Sequence, residues 1–181
     1  QVRLKESETP VVLDVASAGG EPALTIAKIV PNAKIHATDV APAMVEHIRK
    51  RMAEAGVTNV EAGIADGESL VQFEDGSVDV VTCTWGLMFM PNWKKALQEF
   101  SRVLRSDGIV VVTLWERDPD SIFQRMAKVL ETVSPGFQGL LHPEALGEEG
   151  GLATMKEMGK AGLVDVNVSK FSVPVMLPSD S

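Results

Sequence analysis

The run Val11-Val-Leu-Asp-Val-Ala-Ser-Ala-Gly-Gly-Glu-Pro-Ala-Leu24 decides how the rest of the chain reads. Residues 11–15 are apolar and mostly β-branched, bounded by Pro10 and interrupted only by Asp14. That is the pattern of a strand buried on both faces. Residues 16–20 carry almost no side-chain volume, so the backbone there can approach a ligand closely, with φ > 0 expected at Gly19 and Gly20. Pro22 suits a first helical turn, where its missing N–H is not needed, and residues 23–30 continue as an apolar helix. Strand, small-residue turn and helix N-terminus, with an acid at the strand end, form a unit that binds nucleotide-like ligands. Its free backbone N–H groups and helix dipole converge on the turn.

Outward from this unit, strands alternate with helices five times. Residues 34–38 read as a second strand closed by Asp39. Ala41-Pro42 opens a helix to Ala55, with Gly56 as its stop. Residues 60–64 form a third strand, followed by Asp66. Glu74-Asp-Gly-Ser77 is a turn, 78–83 a fourth strand, 85–90 an apolar loop, and Pro91-Asn92 starts a helix running to Leu104. Ser106-Asp-Gly108 reads as a turn before 109–114, the most apolar strand of the chain, and Asp118-Pro-Asp-Ser121 caps a helix over 122–132. The alternation predicts an α/β protein with a doubly wound, mostly parallel sheet, helices on both faces and right-handed crossovers. Residues 134–151 are rich in Gly and Pro and are expected to cross the top of the sheet. A helix over 152–160 stops at Gly162, and 164–175 reads as strand six. The expected organisation is a single domain over 1–181, with 11–132 as the ligand-binding core and 133–181 as a substrate-side loop, helix and last strand.

Composition narrows the function. The 181 residues are 45 % hydrophobic, with no apolar run long enough to span a bilayer and no signal-peptide pattern. The single Cys83 excludes an intrachain disulfide and fits a reducing compartment, so a cytoplasmic location is expected. A formal net charge of −8 argues against nucleic acid or an anionic membrane as partner. There is no Cys/His cluster of metal-ligand spacing, no G-x-S-x-G elbow and no P-loop, so no metal is expected. The first residue is Gln rather than Met, which reads as a fragment, a processed product or the ordered part of something longer.

Leu13-Asp-Val-Ala-Ser-Ala-Gly-Gly20 resembles the first motif of class I S-adenosylmethionine-dependent methyltransferases, in which an acid-bearing strand enters a G-x-G-x-G turn. Ala16 and Ala18 stand where that family has glycine, and Gly20 keeps the third; alanine fits if φ stays negative. Ala37-Thr-Asp-Val-Ala-Pro-Ala-Met44 resembles the second motif and Ile64-Ala-Asp-Gly67 the third acid. Phe73-Glu-Asp-Gly-Ser-Val-Asp-Val80 and Leu104-Arg-Ser-Asp-Gly-Ile109 resemble the approaches to the fourth and fifth strands. The likeness covers residues 8–116 well and 117–171 loosely.

The resemblance implies a Rossmann-like sheet, S-adenosylmethionine as cofactor and S-adenosylhomocysteine as product. The cofactor's amino-acid end would lie on Ala16, Ser17, Ala18 and Gly20, and Asp14 would brace the turn and reach its amino group through water. Asp39 would hold the ribose, Val40 and Met44 would pack on the adenine, and Asp66 would accept from its amino group beside the Gly67 N–H. Thr84 and Trp85 would sit near the reacting methyl. Plainer roles stay open: Asp39 as cap of the helix at Ala41-Pro42, Asp66 as a turn aspartate, Asp14 with a structural partner, and Met44 in the core. On the substrate side Met88, Phe89 and Trp115 point to a small apolar or aromatic acceptor, in the manner of the quinone, sterol and natural-product branch. His142 in the long loop is the candidate base; His36 and His47 read as structural or surface residues. Family members carry helices before the first strand and an antiparallel seventh strand. Here residues 1–10 are expected to be a remnant of that N-terminal cap, and the last strand is expected to be missing. A homo-oligomer or partner chain would then complete the sheet edge. Two other functions compete: a methyltransferase-like cofactor-binding or scaffold module without turnover, and a nicotinamide-dependent oxidoreductase, which would need G-x-G-x-x-G where this turn has Ala-Ser-Ala-Gly-Gly-Glu.

Overall fold

A computed structural model of the chain describes residues 9–115, 122–136 and 151–172. Strand β1 (Val11–Val15) leads through the turn into helix α1 (Ala23–Ile29), and strand β2 (Lys34–Asp39) follows. Helix α2 (Pro42–Ala55) opens with Pro42 in its first turn and closes on Gly56 at φ 65°, the left-handed stop that favours glycine. Strands β3 (Val60–Ile64) and β4 (Val78–Thr84) come next, then a single 3₁₀ turn (Leu87–Phe89) and helix α3 (Trp93–Val103). Strand β5 (Leu104–Thr113), helix α4 (Ile122–Val133) and helix α5 (Leu152–Lys160) complete the described elements.

The five strands form one sheet in the order β3-β2-β1-β4-β5, and every pairing is parallel. β1 is central, which explains why it is apolar except at Asp14. Alternate residues feed two cores. Leu13 and Val15 face α3, whose Trp93, Ala96, Leu97, Phe100 and Val103 recur at helical spacing and are all buried. Val12, Ile35 and Ala37 face the opposite layer, with Ala23, Leu24 and Ala27 of α1 and Ile48 of α2. Helices thus cover both faces of a doubly wound sheet. Such a sheet places ligands beyond the carboxyl ends of its strands, where strand order reverses, here between β1 and β4.

Two readings of the sequence are corrected. The turn at 106–108 lies inside β5, as an irregularity: Val78 pairs with Leu104 and Val80 with Ile109. The Asp79 carboxylate serves this bulge, accepting from the Arg105 guanidinium at 2.8 Å and from the Val11 N–H at 2.7 Å. That is why an acid interrupts strand four. Residues 164–172, expected to begin strand six, pair with no strand. Asp165 takes φ 53° and its carbonyl accepts from the Asn167 side chain, so the chain turns instead of extending. β5 is therefore an edge among the described residues. Its side chains are only partly covered, and Val111 is 47 % exposed, so the most apolar strand is not the most buried one. No described helix is long and apolar enough to cross a membrane. Leu97→Ala, emptying a fully buried site, is expected to cost about 3 kcal/mol in urea denaturation, whereas Val111→Ala on the edge should cost less than about 1 kcal/mol.

Candidate functional site

The carboxyl edge of the sheet is built on an acid that faces no solvent. Asp14 is fully buried, and its Oδ2 accepts from the Ser17 hydroxyl at 2.5 Å while Oδ1 accepts from the Thr82 hydroxyl at 2.6 Å. Its own carbonyl accepts from the Thr38 hydroxyl at 3.0 Å. Three adjacent strands thus meet at one residue. Burial pushes the Asp14 carboxyl up to about 6, against the opposing effect of the Ser17 and Thr82 hydrogen bonds. The structural partner left open by the sequence is therefore present. Thr38 and Thr82 were not singled out beforehand. The signal for them was a threonine one or two residues before the end of each neighbouring strand.

The turn after Asp14 departs from the sequence reading. Gly20 takes φ 88° but Gly19 does not enter the left-handed region, and Ala16 and Ala18, which fit most easily at negative φ, lie in it at 56° and 45°. The reason is geometric: the chain must reverse from β1 into α1 while the Ser17 N–H reaches the Thr38 carbonyl at 2.8 Å and the Gly20 N–H reaches the Ser17 carbonyl at 2.7 Å. Each alanine held there costs about 1 kcal/mol. Further bonds fix the strained turn: the Ala18 N–H donates to Asp39 Oδ2 at 3.0 Å, and the Arg51 guanidinium donates to the Gly19 carbonyl.

Asp39 ends β2 and is 8 % exposed. Its Oδ1 accepts from the Ala41 N–H at 2.9 Å, an aspartate turn that leads into α2 without capping it, since the N-cap is Ala41 and no side chain bonds the helix start, while Oδ2 braces the glycine turn. Beside it Val40 and Met44 stand 66 % and 40 % exposed, so Met44 is not a core residue. Asp66 is exposed and forms the expected aspartate turn, with Oδ1 accepting from the Glu68 N–H at 2.9 Å. Gly67 is packed so closely that a Cβ would lie 2.8 Å from Met90 Cε and 2.9 Å from Val15 Cγ1.

At the tips of β4 and β5, Thr84 is half-buried and Trp85 sits at φ 56°, its N–H donating to the Thr113 carbonyl at 3.0 Å. The Trp85 indole stacks on that of Trp115, centroids 4.8 Å apart and planes at 12°. Phe89 remains half-exposed, but Met88 is fully buried. The 3₁₀ turn folds Leu87 and Met88 into the α3-side core, so Met88 lies beneath the strand tips and not on the surface expected for it. Gly86 makes this approach possible: a Cβ there would lie 2.5 Å from the Ala16 methyl and 3.0 Å from Cys83 Sγ. The Cys83 thiol is fully buried, which pushes it up to about 12 and leaves no thiolate for chemistry. His142 lies outside the described residues. Among the described residues, no His, Cys, Asp and Glu cluster could hold a metal ion.

This is a doubly wound α/β protein of the class I methyltransferase type, with Asp14, Asp39 and Asp66 gathered at the carboxyl ends of its strands. A family model described as a methyltransferase domain matches residues 12–108, and the chain belongs to that family. It is 34 % identical over 131 residues to the demethylmenaquinone methyltransferase of Thermus thermophilus, covering 72 % of this chain and 59 % of that one. It is 31 % identical over 153 residues to an uncharacterised protein of Mycobacterium bovis, covering 84 % and 54 %. The chain thus spans between about half and three-fifths of these relatives. Among solved structures it is similar to the YcgJ protein of Bacillus subtilis, with TM-score 0.57, 28 % identity and coverage of 72 % and 55 %. An S-adenosylmethionine-dependent methyltransferase from Aquifex aeolicus shares the fold at TM-score 0.58 and 22 % identity, covering 70 % and 72 %.

Two consequences can be measured. The Asp14 carboxyl titrates at about 6 in the folded chain and near 3.8 unfolded. Its protonated form therefore favours folding fully below about pH 4, and that contribution is lost as pH rises through about 6. The loss amounts to about 3 kcal/mol. Asp14→Asn, which keeps the shape, should flatten this part of the stability–pH curve in chemical denaturation. Ala18→Gly should raise stability by about 1 kcal/mol, because the exposed methyl is lost at little cost and the positive φ is relieved.

Proposed function

We propose that the chain binds S-adenosylmethionine along the β1–β2 edge and supports methyl transfer to a small, apolar or aromatic acceptor at the tips of β4 and β5. The observation that carries this is Asp39. Its two oxygens are oriented by the Ala18 and Ala41 N–H groups, and each retains a second lone pair for one of two vicinal ribose hydroxyls. The surroundings fit a nucleoside: exposed Val40 and Met44 offer an apolar surface for the base, and the Gly67 backbone admits no side chain. Asp66 is the acceptor for the adenine amino group through Oδ2, since Oδ1 holds the Glu68 N–H. Ser17, Ala18 and Gly20 form the seat for the amino-acid end.

When bound, the cofactor would supply an electrophilic methyl carbon, to which an electron pair of the acceptor bonds as the carbon–sulfur pair returns to sulfur and the acceptor's displaced proton passes to solvent. The protein's part is alignment of the two reactants. The stacked Trp85–Trp115 pair and half-exposed Phe89 offer an aromatic surface next to the strand tips, suited to a planar apolar ring. The likeness to a protein named demethylmenaquinone methyltransferase supports a quinone-type ring as the acceptor.

One observation favours a second reading, a cofactor-binding module without turnover: Ala16 and Ala18 put methyl groups on a turn that is otherwise built of small residues. Calorimetric titration with S-adenosylmethionine and S-adenosylhomocysteine, followed by acceptor screening, separates the two. Asp39→Ala should abolish binding of both ligands while far-UV circular dichroism stays unchanged. An unaltered dissociation constant in that variant would sink the ribose assignment.

A further inference from the structure

The segment between β3 and β4, residues 65–77, carries Asp66 and Gly67 but has no helix or strand ladder to fix it beyond the Asp66–Ser69 bridge. Its geometry is imposed from outside, and chiefly by two residues of α3. Glu99 Oε2 accepts from the Leu70 N–H at 2.8 Å. Arg102 spreads its guanidinium over the same segment, donating to the Leu70 and Phe73 carbonyls at 3.0 Å each and to Asp75 Oδ1 at 2.6 Å. The Arg102 carbonyl accepts from the Gly76 N–H at 2.9 Å. Glu99 in turn orients the guanidinium through two bonds of 2.8 Å. The segment's upper end is tied by the Ala65 N–H to the Asp39 carbonyl at 3.1 Å and by Glu68 Oε1, which accepts from the Asn92 N–H at 2.7 Å. Fully buried Leu70 is the point at which the α3 ties come nearest to Asp66, four residues away.

We propose that Glu99 and Arg102 are positioning residues for base recognition: from α3 they set where Asp66 and the Gly67 N–H stand, without touching the ligand. This rests on the reading of Asp66 as acceptor for the adenine amino group. A planar fork is needed, because an ammonium cannot serve two carbonyls, Asp75 and Glu99 from one place. Slackening the clasp lets the segment shift along α3, and a shift of a fraction of an ångström at Asp66 weakens a charged hydrogen bond to the base.

The test compares S-adenosylhomocysteine with S-inosylhomocysteine, in which the amino donor of the base is replaced by a carbonyl. In the unaltered 181-residue chain, calorimetry should favour the adenosyl ligand by about tenfold or more. In Arg102→Lys and in Glu99→Gln that ratio should fall to within about threefold of unity, through weaker binding of the adenosyl ligand alone. A role confined to folding would lower the melting temperature or weaken both ligands equally, and an unmoved ratio overturns the proposal. Should Arg102→Lys fail to fold, Glu99→Gln carries the same test. Asp66→Ala, at an exposed position, separates the two failures. If it collapses the ratio while the α3 variants do not, positioning is wrong and base recognition stands. If it leaves the ratio intact, the reading of Asp66 is wrong and the proposal falls with it.

Discussion

A carboxyl group with no access to water ties the sheet edge together. Asp14 can sit at the end of the central strand only because Ser17 and Thr82 each supply a hydroxyl to it. The Thr38 hydroxyl takes the same residue's carbonyl from the other side. Burial of the group opposes its ionisation, and the hydroxyls offset part of that cost. The gain is that β1, β2 and β4 are held in register where they end, which is where the ligand edge begins. The strained turn depends on this anchor, since Ser17 is at once the Asp14 donor and the residue whose N–H and carbonyl shape the reversal.

Replacing glycine by alanine in that turn does not simply shrink the site; it shifts a demand elsewhere. The Ala16 methyl occupies space in which a Cβ on Gly86 would collide at 2.5 Å. The glycine that the first turn lacks has in effect a counterpart after β4. The same close packing recurs at Gly67, wedged between Met90 and Val15. The segment after β4 therefore rests directly on the segment after β3, and the two form one packed layer at the carboxyl edge of the sheet.

Much of the fold could be read from the sequence. Central strands are covered on both faces, so β1 and β4 show largely apolar runs while β2 alternates, and α3 shows its buried face at helical spacing. Asp39 and Asp66 stood out because an acid following an apolar strand has few reasons to be there. Burial could not be read as well. Ile109 to Leu114 looks like the deepest strand and lies at an edge, while Met88 looks like ligand-facing surface and is core. Composition reports what a segment tolerates, not which neighbour arrives to cover it.

By itself, the sequence determined the order of elements, the parallel α/β class and which strand ends carry acids, because these follow from local periodicity and from residue types. Only the tertiary structure decided that Ala16 and Ala18 take positive φ, that Asp39 spends one lone pair on each of two backbone N–H groups, and that Arg102 fastens the segment bearing Asp66. Apart from the local Ala41–Asp39 bond, each of these depends on groups twenty or more residues apart in the chain. Their partners are set by how layers pack, and no local pattern encodes that distance.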